Sequence, residues 1–255
     1  MSFVKPKKKL GQHFLIDQNI ARKIVDNLGA DVPDILEIGP GMGVLTQYLL
    51  NRKQQKVHVV EIDIESVDYL KHHFPELSDI WSEDFLKADI AAHFSGNFSI
   101  IGNFPYNISS QIFFRILEFR NRVPETVCMI QKEVAERIAA PHGSKVYGIL
   151  SVLLQAYFNI DYLFTVSEGV FNPPPKVKSA VVRLTRNNVA QLPCNEQLFV
   201  KVVKAAFNQR RKMLRNSLKE LCPALPEPYA QKRPEQMSVS DFVSLTYEIE
   251  NLKNQ

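Results

Sequence analysis

The sequence predicts an α/β fold: a mostly parallel sheet covered by helices on both faces, with an antiparallel edge, followed by a small all-α C-terminal domain. Three observations predict it. Short β-type runs recur with helical or irregular stretches between them, two more strand-type runs follow close together, and beyond a polar break the apolar spacing becomes helical. The chain has 255 residues, 45% of them apolar. That excludes a disordered or fibrous protein and provides for one main domain plus a small one.

Asp17 is placed to cap a first helix carrying Ile20, Ile24, Val25 and Leu28 at helical spacing. Strands are predicted at 34–38, 56–60, 98–102 and 126–130, with a short one before Asp84, all suited to a parallel sheet. The runs 157–166 and 179–185 are close enough to form an antiparallel pair at one edge. Residues 187–196 read as a linker, so a main domain is expected over 1–187 and a helical one over 188–255, the latter carried by Phe199, Val203, Phe207, Leu214, Leu218, Phe242, Leu245 and Ile249.

Cys128, Cys194 and Cys222 are too few and too far apart for a disulfide framework or a Cys-x-x-Cys metal site. The six histidines form no metal-ligand pattern, and His72 and His73 read as an exposed helix pair, so no metal is expected. Lys5, Lys7, Lys8 and Lys9 resemble the start of a signal peptide, but Gly11, Gln12, His13 and Asp17 interrupt any apolar region behind them. The apolar run at 149–154 is far shorter than the roughly 18 residues of a membrane span. A soluble, monomeric, cytoplasmic protein with no membrane partner is the expectation.

The strand at 34–38 runs straight into Gly39-Pro40-Gly41-Met42-Gly43, after which the pattern turns helical. Glycines there, Gly39 and Gly41 above all, let the backbone approach a ligand where a Cβ would intrude. Gly-x-Gly-x-Gly lacks the final turn of a dinucleotide fingerprint, which favours a ligand without a pyrophosphate, such as S-adenosylmethionine. Glu61, twenty-two residues after Gly39 at the end of the next strand, is positioned either to accept both hydroxyls of an adenosine ribose or to stand as a solvated strand-end carboxylate. Asp84 is the candidate acceptor for the adenine amino group, preferred to Glu83 because Phe85 and Leu86 follow it.

The strand at 98–102 ends in Asn103-Phe104-Pro105-Tyr106, which resembles the Asn/Asp-Pro-Pro-Tyr signature of amino-nitrogen methyltransferases. An adenine amino lone pair is delocalised into the ring. Two acceptors, the Asn103 side-chain oxygen and the Phe104 carbonyl, can hold its hydrogens and turn the lone pair towards a methyl donor. Pro105 stiffens the loop, and Tyr106 supplies a stacking face for a base drawn out of its helix or loop. Zinc-deaminase and Gly-x-x-x-x-Gly-Lys phosphoryl-transfer motifs are absent.

The formal charge of +4 is segregated. Residues 169–219 hold Lys176, Lys178, Arg183, Arg186, Lys201, Lys204, Arg210, Arg211, Lys212, Arg215 and Lys219 against one acid, Glu196, and Lys7, Lys8 and Lys9 lie in an N-terminal stretch with no acid. A phosphate backbone is the expected counterpart of both segments. Phe171, beside Pro173, Pro174 and Pro175, is either a second stacking surface for the target base or a core residue under its loop.

Together, Gln12-His13-Phe14-Leu15, the glycine loop, Asn103 to Tyr106, the stretch 171–177 and Phe207-Asn208-Gln209-Arg210-Arg211-Lys212 resemble the ribosomal RNA adenine dimethyltransferase family, and within it the bacterial small-subunit branch whose loss gives kasugamycin resistance. The resemblance implies a Rossmann-like class I methyltransferase domain plus a small helical domain. It implies transfer of two methyls from S-adenosylmethionine to each of two adjacent adenines in a hairpin loop near the 3′ end of small-subunit rRNA, on a pre-assembled 30S particle. Family cofactor contacts map onto His13, Leu15, Gly39, Glu61, Asp84 and Asn103. Phe104 stands where leucine or isoleucine is commoner, and Lys178 where the family often has an acid. The alternatives are a large-subunit enzyme of the macrolide-resistance type and an assembly factor acting mainly by binding RNA.

Overall fold

A computed structural model describes residues 4–29 and 31–253. After a single 3-10 turn at Lys8–Leu10 come β1 (Phe14–Leu15) and α1 (Gln18–Asp26), whose cap is Asp17: its carboxylate accepts the N–H groups of Asn19 and Ile20 at 2.9 and 3.0 Å. Then β2 (Asp34–Ile38), α2 (Thr46–Leu49), β3 (Lys56–Val60), α3 (Ile64–His73), β4 (Asp79–Trp81), α4 (Ile90–His93), β5 (Phe98–Asn103), α5 (Ser109–Glu118) and β6 (Glu125–Gln131) alternate as the sequence predicts. His72 and His73 are exposed on α3. There follow α6 (Lys132–Ala139), α7 (Ile149–Gln155), β7 (Phe158–Val166), β8 (Phe171–Asn172), β9 (Ser179–Arg186), α8 (Glu196–Asn208), α9 (Leu214–Ser217), α10 (Glu227–Ala230) and α11 (Val239–Lys253).

Seven strands form one sheet in the order β4-β3-β2-β5-β6-β9-β7. The pairs β2–β3, β3–β4, β2–β5 and β5–β6 are parallel, and β9 runs antiparallel to β6 with Gln131 opposite Ser179. The central strands are buried on both faces, which is why they read as continuous apolar runs rather than alternating ones. Chain order moves outward from β2 through β3 to β4 and then returns to β5 on the other side of β2. That reversal opens a crevice at the carboxyl ends of the strands, the usual ligand position in such sheets. Ile38 is paired with Val60, and Asn103 with Met129, so the loops after β2, β3 and β5 leave from the same edge.

One core cluster gathers Ile24 and Val25 of α1, Leu45 and Leu49, Val59, Leu70, Val127 and Val181. It also takes in Leu15 and Phe171, whose strands β1 and β8 pair as a separate two-stranded sheet that the sequence reading does not contain.

The chain divides into two compact units. One takes the chain up to Ala135 together with Ile160–Arg186; the other takes Glu136–Asn159 together with the chain from Asn187 on. Residues 136–159, expected within the main domain, thus group with the C-terminal helices. The reason is packing: α7 lies on α8 and α11, and the rings of Tyr147, Phe207 and Phe242 meet in sequence with centroids 6.0 and 5.8 Å apart. Among the described residues no helix is long and apolar enough to cross a membrane.

Candidate active site

The loop after β2 is built on backbone that favours glycine. Gly39 and Gly41 have φ of 66° and 57°, a left-handed conformation that strains any side chain. A Cβ at Gly39 would project into open space, and one at Gly41 would come within 2.8 Å of the Phe14 ring. The empty volume before Gly39 is therefore a cradle, closed at Gly41 by Phe14. Glu61, 5% exposed, secures this loop: one carboxylate oxygen accepts the Gly41 N–H at 3.1 Å and the other the Asp63 N–H at 2.9 Å. Burial pushes its pKa up against those two hydrogen bonds. Each oxygen retains a lone pair for a further donor.

Two cavities flank this loop. The first, about 260 Å³, takes in Gly39, Glu61, Ile62, Asp84, Asn103 and Tyr106. Asp84 is the more buried of the two candidate acids, and its Oδ1 accepts the Leu86 N–H at 3.0 Å, whereas Glu83 is exposed. The second, about 410 Å³, is bordered by Leu15, Glu37, Gly39, Val44 and Asn103. Phe14, Gly39 and Asn103 border both, so a long ligand spanning the two has its middle beside Asn103. S-adenosylmethionine has that form: an adenosine end, a central sulfonium and an amino-acid end. Glu37, which sequence reasoning did not assign, is 1% exposed in the second cavity, with Thr46 donating to its Oε2 at 2.6 Å. Burial, with the nearby Glu61 charge, raises its pKa to about 8 despite that bond. An acid within an apolar strand was the signal that could have found it.

Asn103, at the end of β5, donates from Nδ2 to the His13 carbonyl at 3.0 Å, which leaves Oδ1 as its acceptor. The Phe104 ring is buried in the core, 1% exposed, and its N–H is taken by the Met129 carbonyl at 3.0 Å. The ring belongs to the packing, so phenylalanine in place of leucine or isoleucine alters the core. Pro105 accepts the Ile108 N–H at 3.2 Å and starts the turn into α5. Tyr106 is half-buried, and its hydroxyl hydrogen-bonds Ser179 Oγ; burial raises the phenol pKa, so the hydroxyl stays protonated. His13 stacks on Tyr106 with centroids 5.4 Å apart at 27°, and its Nδ1 lies 2.8 Å from the Pro173 carbonyl.

The N-terminal segment closes the first cavity. Lys9 to His13 border the first cavity, Lys7 pairs with Asp63 and with Glu65 at 3.0 Å, and Gln12 Nε2 donates to Asp63 at 3.0 Å. Burial works against the Asp63 carboxylate, but the bonds from Lys7 and Gln12 outweigh it and lower its pKa.

Three of the expected contact residues stand differently from their neighbours. Lys7 is tied to two carboxylates and is not a free charge for RNA, unlike the exposed Lys8 and Lys9. Phe171, 3% exposed and opposite Leu15, lies in the core and offers no face to a base. Arg210 is also partly committed: its Nη2 donates to the Ser144 carbonyl at 3.3 Å, and its Nε lies 4.0 Å from Glu235. Lys176, Lys178, Arg211, Lys212 and Arg215 are exposed as expected. Among the described residues no cluster of three His, Cys, Asp or Glu side chains is arranged to hold a metal.

A parallel sheet with one reversed strand beside its edge, a glycine cradle at its switch point and Asn-Phe-Pro-Tyr opening on the same crevice define a class I, S-adenosylmethionine-dependent methyltransferase. The chain belongs to the ribosomal RNA adenine dimethylase family, whose model matches residues 4–252. It is 58% identical to the ribosomal RNA small subunit methyltransferase A of Parabacteroides distasonis, over 96% of this chain and 94% of that one. A dimethyladenosine transferase crystal structure from Plasmodium falciparum superimposes with a TM-score of 0.80 at 25% identity, covering 94% of this chain and 98% of that one. The crystal structure of the 23S rRNA methyltransferase ErmE gives 0.68 at 24% identity, covering 91% and 99%, which is a likeness of fold.

Proposed function

We propose that the chain transfers methyl groups to the exocyclic nitrogens of two adjacent adenines in a hairpin loop near the 3′ end of small-subunit rRNA, acting as a monomer on the 30S particle in the cytoplasm, without a metal. The observation that carries the chemistry is the Asn103 amide: with Nδ2 committed to His13, Oδ1 is the acceptor left at the middle of both cavities. S-adenosylmethionine supplies an electrophilic methyl on a sulfonium. The rest is positioning. Glu61 and Asp84 would hold the ribose hydroxyls and adenine amino group, Gly39, Gly41 and the Leu15 backbone would line its path, and Glu37 would face the amino-acid end.

At the target, Asn103 Oδ1 and the Phe104 carbonyl accept the two amino hydrogens, draw the nitrogen out of conjugation and aim its lone pair along the line of displacement. The new N–C bond would replace the methyl–sulfur bond, whose electron pair stays on sulfur, and the amino proton then leaves to solvent. Tyr106 stacks on the extruded base and offsets part of the cost of unstacking it. Exposed Lys8, Lys9, Lys176 and Lys178 in one unit and Arg211, Lys212 and Arg215 in the helical, RNA-binding unit contact phosphates. The small-subunit assignment rests on the 58% identity to the relative that carries that name. A labelled-methyl assay on naked RNA and on unmethylated 30S particles, with the product mapped by primer extension, tests it. Two adjacent dimethylated adenines near the small-subunit 3′ end are expected; modification of large-subunit RNA alone overturns it.

A further inference from the structure

The Tyr106 ring has two internal freedoms, a swing about χ1 and a rotation about χ2, and the structure restrains each with a different group. The first restraint is Ser179. Tyr106 leaves the end of β5, passes over the end of β6 and reaches β9, where its hydroxyl hydrogen-bonds the Ser179 Oγ. Ser179 is 0% exposed and paired with Gln131 across the antiparallel β6–β9 ladder, so its hydroxyl stands on a rigid element. A bond to the phenolic oxygen lies on the χ2 axis: it fixes the swing of the ring and leaves its rotation free. The second restraint is the His13 ring, stacked on one face of Tyr106 at 27° and itself held by the Pro173 carbonyl at 2.8 Å. Stacking sets the plane that the hydrogen bond cannot set, and it occupies one face.

From this we infer that Ser179 is a positioning residue for the methyl transfer, fixing Tyr106 so that its single remaining face stands where the target adenine must lie. The inference rests on the proposed stacking of that adenine on Tyr106. Ser179 touches neither the cofactor nor the base; it acts through the phenol. Its role is to make the platform rigid before the base arrives, so that little of the stacking free energy is lost in ordering the ring.

The test uses the full-length protein and 30S particles carrying 2-aminopurine at a target adenine position, whose fluorescence reports unstacking of that base, together with methylation kinetics on the natural particle. Ser179→Ala and Tyr106→Phe break the same bond from its two ends, so a folding defect peculiar to one is exposed by the other. Each is expected to lower kcat/KM by about three- to tenfold, to reduce the 2-aminopurine signal by a similar factor, and to leave the Kd for S-adenosylmethionine unchanged. The double variant should be no worse than either alone. Ser179→Ala and Tyr106→Phe indistinguishable from the parent, or losses that multiply in the double variant, overturn the inference while leaving the stacking reading intact. Weaker cofactor binding and reduced Tm in Ser179→Ala alone assign it a merely structural role and also overturn the inference. A Tyr106→Ala variant with an unaltered 2-aminopurine signal removes the stacking reading and the inference with it.

Discussion

Glu37 is the group whose behaviour tests the site most sharply. Its carboxyl is sealed in the second cavity with one oxygen on Thr46, and its pKa is pushed up to about 8. At that value it is roughly a tenth ionised at pH 7 and a hundredth at pH 6. An α-ammonium group, itself protonated below pH about 7.7, binds best beside the ionised form. Cofactor binding must then expel one proton, and below pH 7 the affinity should rise tenfold per pH unit, or ~1.4 kcal/mol. Between pH 5.5 and 7.0 this amounts to about thirtyfold in Kd. Glu37→Gln should lose one unit of that slope relative to the parent, whatever Glu61 adds in common. Titration calorimetry in two buffers of different ionisation enthalpy reads the released proton directly. The same pKa fixes the stability of the empty protein: unfolded, the carboxyl ionises at its ordinary 4.5, so between there and about 8 the folded state holds the extra proton and stability falls as pH rises. Equal slopes in the parent and in Glu37→Gln, with no proton released, would refute the reasoning.

Asn103→Ala should cut methyl transfer by ~10²–10³-fold while 30S binding, measured by filter retention, stays near that of the parent; near-normal turnover rejects the assigned hydrogen bond. Replacing Arg211 and Lys212 with alanine should flatten the salt dependence of RNA affinity by about 0.7–0.9 log unit per charge. Arg210→Ala should instead lower Tm with little change of salt slope, since its guanidinium is held by Ser144 and Glu235. Lys7→Ala and Asp63→Asn should each speed cofactor dissociation in stopped flow and leave the RNA salt slope alone.

The strands β2 and β3 are legible to the residue because parallel strands buried on both faces leave an unbroken apolar trace, and the glycine loop, Glu61 and Asn103 follow from where such strands end. What was not legible depends on partners far away in the chain. Two-residue strands such as β1 and β8 carry no periodicity, and only their pairing puts Phe171 in the core. Likewise α7 reads as one more apolar segment of the main domain until α8 and α11 are seen to pack on it. Charge counts located the basic segments, yet they could not separate Lys7, paired with Asp63 and Glu65, from its exposed neighbours Lys8 and Lys9.

The contact between His13 and the Pro173 carbonyl spans 160 positions of sequence, with the β1–β8 pairing beside it. During synthesis, therefore, the segment that closes the cradle around Gly39 and Glu61 finds Asp63, Glu65 and Asn103 first, and its contact with Pro173 and its pairing with β8 form only after the chain beyond Pro173 has emerged. The last restraint on that segment is therefore made only when the catalytic unit is whole. Nascent chains ending before residue 170 should bind S-adenosylmethionine more weakly than the full chain, and ribosome-bound chains of graded length would locate the step.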